Sequence, residues 1–352
     1  MLLGSTSSDV TGQLTLSTVP SGCLSSISSL PLRQLALLLV SSVASPPSKL
    51  AHGLDSQGLY AYQPIFYSAQ CSKATTTINS QAEATALGNA CSKYKGSIVI
   101  GTQTDTPFNF PGIEEITGDL TLLNNALITG FSVNELTTVG GTLTLQNLTL
   151  LTSFTATVLT SVDKLHLQSL PALGSLTIGP PGITKANEVI VSDTFLEALS
   201  GIDVRDVKQM DINNNRRLKD FTTALRTVSG TLKISANNKL MAVTMNSLQW
   251  IQNMEIANVT TFEATALNVV NESAHFDFNY FEKFVAPNLT HTEEGDISFV
   301  GNSELQNITL TSLSAIGGGF TIANNTALKV VTGFPKLKTI TGALKMKGNF
   351  TE

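Results

Sequence analysis

The chain has 352 residues, of which 42% are apolar and only 13% charged, and its formal net charge is −5. That apolar content can fill one large domain or two ordinary ones, while the acidic balance excludes a nucleic-acid-binding protein, which would need a basic face. Little charge, few aromatics and abundant serine and threonine suit an extracellular β protein better than a cytosolic helical one.

Residues 1–70 read as an N-terminal extension outside the fold. Within it, 31–48 (PLRQLALLLVSSVASPPS) is laid out like a secretory signal, with Arg33, an apolar run from Leu35 to Val43, then Ala44 and Ser45. The segment is displaced from a normal signal position, and an internal apolar run is more often a buried strand or helix. No stretch reaches the ~20 apolar residues needed to span a bilayer.

Three cysteines occur, Cys23, Cys71 and Cys91, with neither a CxxC nor metal-ligand spacing, so no metal or cofactor is expected. Cys71 and Cys91 flank a segment, Thr75 to Ala90, expected to be helical. They are read as a disulfide closing an N-terminal cap (71–97), with two free buried thiols as the alternative. Such a loop would stabilise by roughly 3 kcal/mol on the chain-entropy model. Cys23 then has no partner.

From Ile98 onward the chain repeats. Five passages share one pattern: Ile116 to Leu120, Val139 to Leu143, Val228 to Leu232, Ile316 to Phe320 and Ile340 to Leu344, each with glycine at its centre. Extending the register predicts strand openings at Ile98, Leu120, Leu143, Leu165, Val189, Met210, Leu232, Met254, Phe276, Ile297, Phe320 and Leu344. Two residues after each stands another apolar side chain, ending with Phe278, Phe299, Ile322 and Met346. Alternation of this kind is the period-2 signature of a strand. One strand per ~22 residues cannot bury its own apolar face, so neighbouring coils must stack.

The predicted fold is therefore all-β: a right-handed β-solenoid, leucine-rich-repeat-like in period, with about twelve coils over 71–352. Gly-, Thr- and Asn-rich turns favour a β-helix-like coil over a horseshoe. Asn125, Asn215, Asn237, Asn302, Asn325 and Asn349 recur three residues past the second apolar position and predict a structural ladder at a tight, left-handed corner. No cap closes the C-terminal end, and the natural chain is expected to continue past Glu352.

The runs NEVIVSDTFLEALSGI (187–202), MDINNNRRLKDFTTALRTVSGTLKISANN (210–238) and GGGFTIANNTALKVVTGFPKLKTITGALKMKGNFT (317–351) resemble the fungal GPI-anchored cell-wall-organisation proteins. These are receptor L-domain-like surface glycoproteins related to sporulation-specific wall proteins. The resemblance covers roughly residues 71–352, and Cys71 and Cys91 stand where that family has its N-terminal cysteine pair. It implies secretion, N-glycosylation, attachment to plasma membrane or wall through a lipid anchor, and a part in wall integrity. It supplies no catalytic residue. The family's C-terminal cysteines, Ser-rich stalk and anchor signal are not found in this sequence, so a membrane attachment is implied by the resemblance alone.

Seven N-x-S/T sequons occur, at Asn147, Asn258, Asn271, Asn288, Asn307, Asn324 and Asn349. Asn349 coincides with the ladder and is expected to be the least occupied. The outward residue at each strand centre forms a line whose middle, Asp211, Lys233, Glu255 and Asp277, is a possible ligand face for a wall polysaccharide. The plainer reading is charge compensation between coils, at ~0–1 kcal/mol per pair. Trp250 is expected in the core. Asp211 and Asp277 are expected about 14 Å apart, too far for glycosidase geometry. His52, His166, His275 and His291 are scattered, and Gly317 to Gly319 read as a tight corner rather than a phosphate loop. The functions weighed are a non-enzymatic wall protein, a carbohydrate- or ligand-binding surface module and, least favoured, a β-helical polysaccharide-degrading enzyme.

Overall fold

A computed structural model describes residues 69–104 and 107–351; the signal-like segment 31–48, Cys23 and nearly all of the 1–70 extension lie outside the described residues. Within that range the protein is a parallel β-solenoid, with strands of successive coils paired directly on one another. The pairing runs Ile98, Leu120, Leu143, Leu165, Val189, Met210, Leu232 and Met254, all in register. It then passes to Ala274, Ile297, Phe320 and Leu344. Side chains at these positions and two residues later are buried, except in the last coil, where Leu344 and Met346 are 56% and 45% exposed.

The ninth coil corrects the sequence reading. Met254 pairs with Ala274 and Ile256 with Phe276, so this coil is two residues shorter than expected. Phe276 is therefore the second inward residue rather than the first. Its ring lies 4.3 Å from Phe284, 5.2 Å from Phe299 and 5.5 Å from Phe262, between ring centroids. With that volume occupied, the methyl of Ala274 suffices at the opening position. Phe278, expected inside, is 62% exposed.

Each coil has two further sides. A two-residue strand such as Glu115–Ile116 precedes the glycine corner and pairs within the same large sheet. Opposite, shorter strands form two separate sheets, one from Phe108–Asn109 to Ser175–Ile178 and one from Asp220–Thr222 to Asn307–Thr309. In the first, Phe108, Phe131 and Phe154 stack with centroids 6.0 and 5.7 Å apart. Trp250, expected in the core, opens a strand with its side chain only half-buried while Ile251 turns inward.

The corner needs glycine. A Cβ on Gly318 would collide with the Gly295 backbone and the Asp296 carboxylate, and one on Gly141 would meet Gly118 and Asp119. The same close approach lets Gly141 donate its N–H to Gly118 O at 3.0 Å and Gly318 to Gly295 O at 3.0 Å.

Over the first coil sits the cap. Ser72–Ile78 is a strand paired in parallel with Lys93–Ile100, and Gln81–Ala90 is a helix packed through Ala84 and Leu87. Thr75 to Ile78, expected to be helical, is a β-branched run whose side chains favour the extended form. The helix starts at Ser80, whose hydroxyl accepts from Glu83 N at 3.2 Å, while the Glu83 carboxylate accepts from Asn79 N at 2.7 Å. Cys71 and Cys91 are joined by a disulfide, with Cα atoms 5.7 Å apart.

Candidate functional surface

Two adjacent columns make one corner of the solenoid, and both arise from local backbone chemistry. In the first, Asn124, Asn147, Ser169, Asp193, Asn214, Ala236, Asn258, Phe278, Gly301 and Asn324 all have φ between 53° and 70°. This left-handed turn bends the chain immediately after the strand, and asparagine and glycine adopt it most easily. The left-handed residue thus precedes the ladder residue, one position earlier than the sequence reading put it.

The second column points inward. Asn125, Asn215, Asn302 and Asn325 are completely buried, and Asn237 is partly so. Each reaches back to the coil before it. Asn302 Nδ2 donates to Phe276 O at 2.8 Å and its Oδ1 accepts from Asn279 N at 2.8 Å. Asn325 treats Phe299 O and Asn302 N in the same way, at 2.9 Å each. Asn279, missed because of the two-residue slip, belongs to this ladder and is 1% exposed. Asn349, read as a ladder member, is exposed: it lies in the last described coil, with no further described coil stacked over it. Leu148, Leu170 and Val259 fill the column with apolar volume elsewhere.

Hydroxyls bond the outer side. Thr137 Oγ1 donates to Glu114 O at 2.8 Å, Thr160 to Thr137 O at 3.3 Å and Ser314 to Thr290 O at 3.1 Å, again toward the preceding coil. The serine- and threonine-rich composition is thus used to tie coil to coil without charge.

On the strand face, Asp211, Lys233 and Glu255 are register neighbours, with Lys233 Nζ 3.5 Å from the Glu255 carboxylate. Asp211 also accepts from Asn213 Nδ2 at 2.7 Å. Asp277 does not continue this line: the slip places His275 at the strand centre and Asp277 two residues beyond. His275 Nδ1 lies 2.8 Å from Ser298 Oγ, which donates to Asp277 Oδ1 at 2.9 Å. This is the wrong order for nucleophile activation, since the serine and not the histidine is central, and Ser298 is only 7% exposed. Along the same face His166 contacts Glu188 at 2.7 Å. In the segment leading into His275, the amides of Asn253 and Gln252 hold the Glu272 carboxyl below its ordinary range.

Where the two-residue strands turn into the corner, a groove of about 430 Å³ is lined by Ser161, Asp163, Lys185, Asn187 and Asp206 among others. Asn187 Nδ2 donates to Asp163 Oδ1 at 2.7 Å. No sequence pattern marked this groove, since its walls come from four coils of unequal length.

Of the sequon asparagines, Asn147, Asn288, Asn307 and Asn324 are exposed, as is Asn349, while Asn258 and Asn271 are half-buried. Asn147, Asn258 and Asn324 all occupy the left-handed column.

A stack of coils bound by neutral side chains, with sequon asparagines along one corner, defines a parallel β-solenoid, and among the described residues no helix is long and apolar enough to cross a membrane. Comparison with known proteins specifies it. The chain is 34% identical over 277 residues to a cell surface GPI-anchored protein of Arthroderma benhamiae, covering 78% of this chain and 70% of that one. It is 30% identical over 319 residues to sporulation-specific protein 2 of Saccharomyces cerevisiae, covering 89% and 62%. It is 33% identical over 257 residues to protein ecm33 of Aspergillus fumigatus, covering 72% and 64%. No protein-family model and no solved structure matches it. The chain belongs to the family of fungal GPI-anchored cell-surface and cell-wall proteins, and the matched part spans roughly two thirds of the length of these relatives.

Proposed function

We propose that this protein is a non-enzymatic surface glycoprotein that supports organisation of the fungal cell wall, held at the membrane or wall by a lipid anchor. The observation that carries this reading is the alignment of most of the solenoid with relatives named as surface and wall proteins. The site chemistry agrees with it. Lys233 pairs with Glu255 across coils, Asp211 accepts from Asn213, and the His275, Ser298 and Asp277 groups are tied together around a buried hydroxyl. In the fungus, deleting the gene is expected to sensitise cells to wall-binding dyes, and a phospholipase specific for GPI lipids is expected to release the full-length protein. A deletion strain with unchanged dye tolerance would sink the wall role; a product retained inside the cell would sink the surface location.

A second reading, binding of a wall polysaccharide, is favoured by the groove around Asp163, Lys185, Asn187 and Asp206, whose mixed donors and acceptors suit sugar hydroxyls. Binding of soluble wall glucans that is lost in Lys185→Ala would support it. Retention in that variant with loss in Lys233→Ala would instead favour the strand face.

A further inference from the structure

Phe278 breaks the rules of its column. Residues at this corner are mostly Asn, Asp, Ser or Gly, yet here a bulky aromatic takes φ 58° with 62% of its surface exposed. Both features are unfavourable on their own: a β-carbon with a large substituent is strained in the left-handed region, and an exposed ring gains nothing from water. In the next coil the column carries Gly301, and the Phe278 ring lies in the space its missing side chain leaves, where a Cβ on Gly301 would come within 2.8 Å of the ring. Tyr280, two residues on, is 42% exposed. Packing over Gly301 covers one side of the ring and leaves 62% of the residue exposed, and the core volume in this coil is filled by Phe276.

The coil below supplies an occupant. Asn258, in the same column, heads the sequon Asn258-Val259-Thr260, and its Nδ2 lies 3.3 Å from Phe278 O. A sugar attached to that nitrogen starts beside the backbone that carries the ring. An N-linked chain begins with N-acetylglucosamine, and one side of a pyranose is a patch of C–H groups that complements the electron-rich face of an aromatic ring. We propose that Phe278 is the stacking seat for the first N-acetylglucosamine of a glycan on Asn258, so that the modification shields an exposed ring and the ring orients the glycan along the corner. The inference rests on the reading of the protein as a secreted glycoprotein.

The test uses the protein secreted from a fungal host, as wild type and as Phe278→Asn, which suits the left-handed backbone and creates no sequon with Tyr280. Glycopeptide mass spectrometry reads occupancy at Asn258. Melting temperatures are then compared for untreated protein, for protein trimmed to the first sugar by endoglycosidase H, and for protein stripped by peptide N-glycosidase F. In the wild type, trimming to one sugar is expected to leave Tm unchanged and full removal to lower it by roughly 2 °C. In Phe278→Asn trimming is again expected to be without effect, and full removal, which leaves aspartate at position 258 in both proteins, is expected to lower Tm less than in the wild type. An equal loss in the two proteins, an unoccupied Asn258, or dependence on Asn324 in place of Asn258 would overturn the proposal. Glycans at Asn288 or Asn307 with Asn258 bare would overturn it while leaving the glycoprotein reading intact; a secreted product with no N-glycan at any sequon would remove both.

Discussion

Asn302 shows how a single amide holds two coils together. It satisfies the Phe276 carbonyl and the Asn279 N–H, both inaccessible to water. Asn302→Ala would leave both groups bare, at about 1–3 kcal/mol each, so a drop in Tm of several degrees is expected by thermal unfolding. Asn349→Ala, on an exposed residue, is expected to change Tm negligibly. Glu272 gives a second prediction at this scale. Amide hydrogen bonds from Asn253 and Gln252 depress its folded pKa below the unfolded value of about 4.3. Its contribution is therefore present above the unfolded pKa and lost as pH falls through the lowered folded value. The Tm gap between wild type and Glu272→Ala should be flat above about pH 5.5 and shrink steadily below pH 4. A gap that does not respond to pH would mean that the carboxylate contributes nothing through its charge.

At the scale of the element, the ninth coil separates what the sequence discloses from what it hides. Phe276→Ala removes a ring in contact with Phe262, Phe284 and Phe299 and should cost about 3–5 kcal/mol. Phe278→Asn in the stripped protein should be neutral or slightly stabilising, because it exchanges an exposed, strained ring for a residue suited to positive φ. Equilibrium urea unfolding of the two variants decides between the registers; the reverse ranking would restore the longer coil. Eleven of the twelve strand openings were legible in the sequence, because alternation and the glycine corner repeat with little variation. The ninth was not, since Phe276 and Phe278 fit the pattern as well as Ala274 and Phe276 do. Only tertiary volume chooses between them. The same slip concealed Asn279 and moved Asp277 off the strand centre. Local propensity explains a second error: three successive threonines before Ile78 favour a strand over the expected helix. The groove near Lys185 was illegible for a different reason, because it depends on how unequal coils overhang one another rather than on any residue pattern.

For the molecule as a whole, the coil-to-coil bonds come largely from amides, hydroxyls and glycine backbones, with exposed ion pairs such as Lys233–Glu255 as minor additions. Screening charges should therefore matter little, and Tm is expected to move by less than about 2 °C between 0.05 and 1 M sodium chloride. A large fall in salt would show that the ion pairs carry more than their geometry suggests. The buried asparagines and the Thr137, Thr160 and Ser314 hydroxyls share one further property: every one of them bonds backward, to the coil made before it. The polarity of the stack is thus also an order of completion. A chain entering the secretory pathway N-terminus first presents each coil with its polar groups still open, and the coil that emerges next closes them. Growth from a disulfide-sealed cap then works like a zip whose every tooth locks the one behind it.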